Sequence, residues 1–225
     1  MSRPIVVFDM DCVLVDVSDS YRETICRTVE HFTGRRITRE LVQEYKNLGG
    51  WNNDWKLSQK ICEDLGVAIG YEELVETFQG IFLGDGTNGL ILRERWIARP
   101  GFLERLGARY QLAIFTGRLL SEARLTLDRL SGVEFSPVVG SDEVAAGKPA
   151  PDGLLKIRET GVWSSMWYVG DTVDDARCAW AARVPFIGIA SPNAPRHSEI
   201  VRLLAAEGAT AVLDDINQLG RVLPL

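Results

Sequence analysis

Apolar and polar positions along the chain fall into two textures. Ile5 to Phe8 form an unbroken apolar run, rich in β-branched and aromatic residues, that leads straight into Asp9. An apolar run this short predicts a strand buried on both faces, as in a parallel sheet. Residues 18 to 90 then show helical spacing and no strand-like run. Tyr21, Ile25, Val29 and Phe32 predict a helix that opens on the capping-box form Ser20-Tyr21-Arg22-Glu23 and stops at Gly34. Thr38 to Leu48 predicts a second helix, ended by Gly49-Gly50. Trp51 to Leu65 predicts a third, with Leu57, Ile61 and Leu65 on one stripe, and Tyr71 to Leu83 a fourth, closed by the run Gly84 to Gly89.

From Pro100 the pattern alternates. Strands are expected at Tyr110 to Phe115, Pro137 to Val139, Met166 to Val169, Phe186 to Ile189 and Ala211 to Leu213. Between them lie helices at Phe102 to Gly107, Leu130 and the residues before it (capped by Ser121), Asp152 to Thr160, Thr172 to Arg183 and Ser198 to Glu207. Strands alternating with helices predict an α/β fold with a doubly wound, Rossmann-like parallel sheet. The first strand is N-terminal and its sheet partners lie beyond residue 100. The expected organisation is therefore a core of residues 1–17 and 91–225 with an all-helical domain, 18–90, inserted after strand one. No internal repeat or low-complexity segment interrupts it.

Composition narrows the class. A chain of 225 residues with 46% hydrophobic content can bury a full core. A formal charge of −6 gives no electrostatic footprint for nucleic acid. No signal-peptide core or membrane span is expected, since no apolar stretch approaches the roughly 18 residues needed. Cys12, Cys26, Cys62 and Cys178 lack metal-binding spacing, and His31 and His197 are the only histidines, so a zinc site is not expected. A cytoplasmic protein with reduced thiols is the expectation.

The chemistry concentrates at strand ends. Open parallel sheets bind ligands beyond the carboxyl ends of their strands, where the first strand delivers Asp9 and Asp11. Other strand ends or loops deliver Thr116-Gly117-Arg118, Lys148 in Gly147-Lys148-Pro149, and Asp171 with Asp174 and Asp175. Clustered carboxylates repel unless a cation joins them, and an all-oxygen set suits Mg²⁺. Lys148 adds a point charge, and Thr116 offers a hydroxyl and a backbone N–H to a phosphoryl oxygen. Together these groups suit phosphoryl transfer. Each cluster alone is an ordinary turn; the information lies in their joint order. Two other matches carry nothing. Gly84 to Gly89 has GxGxxG spacing but follows a helix, and Gly147-Lys148 lacks the rest of a phosphate-binding P-loop.

The ordered set DxDxxLxD (Asp9 to Asp16), TGR (Thr116 to Arg118), GKPxP (Gly147 to Pro151) and GDxxxD (Gly170 to Asp175) resembles the haloacid dehalogenase-like hydrolases. A helical insert after the first motif is similar to the C1 cap of the subfamily that includes phosphoglycolate phosphatase and β-phosphoglucomutase. The resemblance implies Asp9 as nucleophile, Asp11 as general acid and base, and Thr116 and Lys148 on the transferring phosphoryl group. It implies Mg²⁺ held by Asp9, the Asp11 carbonyl and Asp171, with Asp175 in an outer shell and Asp174 able to share that role. The implied activity is a Mg²⁺-dependent phosphatase acting on a small phosphorylated metabolite. Alternatives are a phosphosugar mutase and a non-catalytic phospho-ligand binder; a C–Cl dehalogenase is disfavoured by the second Asp. No nucleic-acid or membrane partner is expected, and the chain is expected as monomer or homodimer. Candidate substrate contacts are Thr116, Gly117, Arg118 and Lys148, with Arg22, Trp51 and Asn52 from the insert. On a helix, Trp51 and Trp55 would stack one turn apart, as a wall over the leaving group or as packing within the insert. Cys12 stands where the family usually has Gly, so the loop either accepts strain or differs locally.

Overall fold

The computed structural model describes residues 2–224. Six parallel strands form one sheet: β1 (Ile5–Phe8), β4 (Gln111–Phe115), β5 (Val138–Val139), β6 (Met166–Gly170), β7 (Phe186–Ile189) and β8 (Ala211–Leu213), in the order β5-β4-β1-β6-β7-β8. Val7 pairs with Ala113 on one side and Tyr168 on the other. After β1 the chain builds leftward through β4 and β5, then crosses back to β6. The carboxyl end of β1 is thus the switch point where an open α/β sheet forms its crevice.

Both faces of β1 are buried, which explains its unbroken apolar run. Ile5 and Val7 join Phe115, Tyr168 and the small residues Ala176, Ala179 and Ala182. These small residues lie on α8 (Val173–Ala182), beside α7 (Asp152–Glu159) and α9 (His197–Ala206). Val6 and Phe8 join Leu103 and Leu106 of α5 (Phe102–Arg109), in a cluster that continues into the helices following β1. Those are α1 (Tyr21–Thr33), α2 (Arg39–Leu48), α3 (Asp54–Asp64) and α4 (Tyr71–Leu83). Ile25, Val29, Leu57, Ile61, Phe78 and Phe82 are the buried stripes along which they pack.

Several local expectations differ. Ser20 makes no side-chain cap; its hydroxyl faces Glu94 Oε1 at 3.4 Å, while Glu23 is drawn to Arg27 and Arg36. Ser121 is not a cap either: α6 spans Leu120–Leu130, and the Glu122 carboxylate accepts from the Leu119 N–H at 3.2 Å. The third helix starts at Asp54 because Asn53 caps it, accepting from the Lys56 N–H at 2.9 Å. Trp51 therefore lies outside the helix. It packs edge-on to Tyr45, whereas Trp55 packs on Phe78, so the two rings do not stack on each other. The sequence pattern also misses a short antiparallel ribbon, β2 (Val15–Asp16) with β3 (Arg95–Trp96), which joins the two ends of the helical segment.

Candidate active site

Asp9 follows β1, its N–H anchored on the Val169 carbonyl at 2.8 Å. The chain then turns back at once, with Leu14 and Val15 both donating to the Met10 carbonyl. That turn puts Asp11 beside Asp9 at one cavity wall. Lys148 Nζ lies 2.7 Å from both Asp9 Oδ1 and Asp175 Oδ1, with its side chain buried. Asp175 also accepts from the hydroxyls of Tyr168 and Thr172, each at 2.7 Å, and from the N–H groups of Asp171 and Thr172. Gly170 permits this tuck, because a Cβ there would stand 2.5 Å from the Asp175 carboxyl carbon.

Asp9, Asp171 and Asp175 bring carboxylate oxygens within 4.8 Å of one another. Burial pushes Asp9 up to about 7, opposed by Lys148. Burial also raises Asp171 well above its usual range, reinforced by Asp175 and Asp9. Burial acts against ionised Asp175 as well, but Lys148 and the two hydroxyls outweigh it and hold it below the usual value. Among the described residues no hydrogen bond reaches the Asp171 carboxylate. A compact divalent cation would relieve this repulsion, and hard oxygen donors suit Mg²⁺. Asp9 and Asp171 fit as its ligands, while Asp175 is already engaged, Oδ1 with Lys148 and Tyr168 and Oδ2 with Thr172 and the Asp171 N–H.

Arg118 does not reach out as a substrate ligand. Its buried guanidinium donates from Nε to Asp11 Oδ1 at 2.7 Å and from Nη1 to Thr126 at 2.8 Å, and pairs with Glu94 Oε1 at 2.8 Å. Glu94 shares the guanidinium's water-excluded site, whereas Asp11 reaches it from the cavity wall. Thr116 offers less than expected: its N–H is spent on the Val139 carbonyl at 3.0 Å, and its hydroxyl accepts from the Arg118 N–H at 3.2 Å. That hydroxyl keeps its own proton to donate. Asp174 turns away from the carboxylate cluster and accepts from the Gly50 N–H at 2.8 Å.

The helices close over these groups, leaving a cavity of about 50 Å³. Arg22 and Asn52 line it, together with Gly117; a Cβ on Gly117 would stand 2.6 Å from the Asn52 amide nitrogen. The Arg22 Nη1 is buried without a hydrogen-bond partner. Trp51 instead borders a surface groove with Lys56 and Tyr71, and Trp55 takes the place at the cavity. The sequence reading missed Tyr21, Glu122 and the ion pair of Lys46 with Asp54, which also line it. Glu122, Lys46 and Asp54 showed only charge on an amphipathic helix, which ordinarily marks a solvated face, and Tyr21 only a place on an apolar stripe.

The sequence matches the family described as haloacid dehalogenase-like hydrolase over residues 6–189. The chain belongs to that family. This haloacid dehalogenase-like hydrolase is 31% identical over 219 residues to an imidazoleglycerol-phosphate dehydratase from Phytophthora nicotianae. That alignment covers 92% of the chain, which spans only 48% of the relative's length. It is 26% identical to a phosphoglycolate phosphatase from Mesorhizobium japonicum, covering 88% of this chain and 87% of that one. A solved structure titled a predicted phosphoglycolate phosphatase, from Haemophilus somnus, superposes with a TM-score of 0.75 at 18% identity. The superposition covers 99% of this chain and 98% of that one, a likeness of fold. As a member of this family the chain is a hydrolytic enzyme. Among its described residues no helix is long and apolar enough to cross a membrane.

Proposed function

We propose that this hydrolase is a Mg²⁺-dependent phosphatase that cleaves a small-metabolite phosphomonoester through a phosphoryl group carried on Asp9. The observation that supports it most is Lys148 bridging Asp9 and Asp175 at 2.7 Å each beside Asp171. Lys148 takes Oδ1 of Asp9 and so leaves Oδ2 to attack phosphorus. As the bond to the leaving oxygen breaks, Asp11 gives that oxygen a proton. Asp11 then takes a proton from water, which attacks phosphorus and returns the Asp9 carboxylate with release of phosphate. Mg²⁺ held by Asp9 and Asp171 would neutralise charge on the phosphoryl oxygens. The Thr116 hydroxyl donates to that group, and Lys148 keeps Asp9 oriented.

In this reading residues 18–90 act as a cap over a core of 1–17 and 91–225. The cavity at the carboxylates has room for little beyond the reacting group. An adjoining cavity of about 600 Å³ shares Arg22 and Asp171 and gives the leaving group space. We place the enzyme in a reducing, cytoplasmic setting, in keeping with its free cysteines.

The test is a screen of phosphorylated metabolites with Mg²⁺ and with a chelator in excess. Hydrolysis should appear with Mg²⁺, vanish with chelator and return on replenishment. Asp9→Asn should fold like the parent and lose at least about 10³-fold in kcat, the scale for removing a reacting group. Metal-independent turnover, or an active Asp9→Asn, would defeat the reading.

A further inference from the structure

We propose that Glu94 is a positioning residue for the general acid–base Asp11 and acts on it through Arg118; the proposal rests on the phosphatase reading. Glu94 belongs to no motif. It sits in the segment that returns the chain from α4 to the sheet, immediately before β3, and its side chain is 0% exposed. A buried carboxylate is costly unless every oxygen is satisfied. Here Oε1 meets Arg118 Nη2 at 2.8 Å and the Ser20 hydroxyl at 3.4 Å. Oε2 accepts from the Thr126 hydroxyl at 2.7 Å and from Arg129 at 3.2 Å.

Arg118 therefore stands between two carboxylates. Asp11 Oδ1 accepts from Nε at 2.7 Å, and Nη2 lies against both Asp11 and Glu94 as an ion pair without a hydrogen bond. Nη1 reaches Glu94 Oε2 by hydrogen bonds through Thr126. Thr126 on Nη1 and the Tyr21 ring, 4.7 Å from the guanidinium carbon, fix its plane. A planar guanidinium holds geometry only when its far edge is anchored, and Glu94 is that anchor. The clamp engages Oδ1 of Asp11, so Oδ2 remains for the leaving oxygen and later for water. Because Glu94 lies beside the β2–β3 ribbon, the aim of Asp11 is tied to the connector between helices and sheet.

A purely structural role would be to brace the connector against α6 through Thr126 and Arg129. A double-mutant cycle separates the two roles, using glycerol 2-phosphate as alkyl ester and 4-nitrophenyl phosphate as activated aryl ester. Glutamine at 94 supplies one acceptor oxygen and turns an NH₂ toward a donor. Glu94→Gln should lower kcat on the alkyl ester about 10- to 100-fold, part of the roughly 10²–10⁴ that a placed acid supplies. KM on both esters and kcat on the aryl ester should stay within about 3-fold. In an Asp11→Asn background the same change should cost less than about 2-fold, because the two act as one unit. Equal loss on both esters, or the same factor in both backgrounds, would make Glu94 a brace and overturn the proposal. Should Glu94→Gln not fold, Arg118→Lys decides: an ammonium cannot span both carboxylates, so the alkyl-selective loss should recur, and its absence overturns the proposal. Wild-type protein that hydrolyses neither ester with Mg²⁺ would instead overturn the phosphatase reading. An Asp11→Asn enzyme without leaving-group dependence would overturn the role of Asp11.

Discussion

Cys12 takes the left-handed backbone region at φ 58°, in the tight turn between Asp11 and the Met10 carbonyl. An L-residue pays roughly 1–2 kcal/mol there, while Gly would lose about 0.5–1 kcal/mol in chain entropy. Burial pushes its thiol well up from the usual value, with Asp171 adding to the effect, so a neutral thiol is held in place at that strain. Cys12→Gly should therefore leave the melting temperature unchanged or raise it by up to about 4 °C, with turnover retained. A fall beyond about 3 °C in a thermal melt would show that thiol packing outweighs the backbone relief. Single residues were legible in the sequence where a strand end fixed them. Asp9 and Asp171 meet because each directly follows a buried parallel strand, and Lys148 reaches Asp9 from the loop before α7. The direction of Arg118 was not legible, since the same TGR spacing lets an arginine face either a phosphate or a carboxylate. Its choice depends on Glu94, which is 24 positions away and carries no motif.

At the scale of elements, α6 shows how a helix start becomes part of a site. Glu122 caps the Leu119 N–H and also accepts from the Tyr21 hydroxyl of α1 and from Gln79 of α4, the latter at 2.6 Å. Burial raises its carboxyl above the usual value despite these donors. Below the ordinary carboxylate value folded and unfolded chains are both protonated there, and the group has no effect on stability. As pH rises the unfolded chain ionises freely and the folded one does so against burial, so stability falls until the folded value is passed. Glu122→Gln removes this dependence, and its amide can pair with the Gln79 Oε1, which is buried without a partner. The melting-temperature advantage of Glu122→Gln over the parent should be smallest near pH 4 and widen toward pH 7. A constant difference across that range would mean that Glu122 ionises in the fold as it does in water. Helices and strands were largely legible from periodicity. Caps were not, because Ser20 and Ser121 satisfied the pattern while the Glu residues beside them found other partners. The two-residue strands of the β2–β3 ribbon are too short to leave any period.

Across the whole molecule, the decisive fact is that helices and sheet are drawn together. The cavity left at the carboxylates is about 50 Å³, and the one of about 600 Å³ that shares Arg22 and Asp171 with it lies to its side. If residues 18–90 act as the proposed cap, binding and release lift the helical layer, a relation that residue order alone could not disclose because it lives in contacts across the chain. Besides apolar packing, those contacts include polar ones: Tyr21 and Gln79 on Glu122, Asn52 against Gly117, Glu44 with Arg196 at 3.2 Å, and Gly50 N–H on Asp174. The last holds the loop between α2 and α3, where Gly49 takes φ 77°, a backbone region that strains any residue with a side chain, beside the Arg177 guanidinium. Polar contacts of this kind suit a reversible closure, since each returns to water at little net cost. Asp174→Ala should free that loop without touching the reacting groups. Hydrogen exchange at Gly50 should quicken by about tenfold, the equivalent of one charge-assisted hydrogen bond. Turnover should respond in two opposing ways. Entry becomes easier, so kcat/KM for a bulky phosphate ester should hold or rise, while kcat should fall because closure aligns the cleft less often. Unchanged exchange at Gly50 would show that Asp174 does not hold the loop. A loss in kcat/KM as large as that in kcat would show that the contact serves chemistry and not closure.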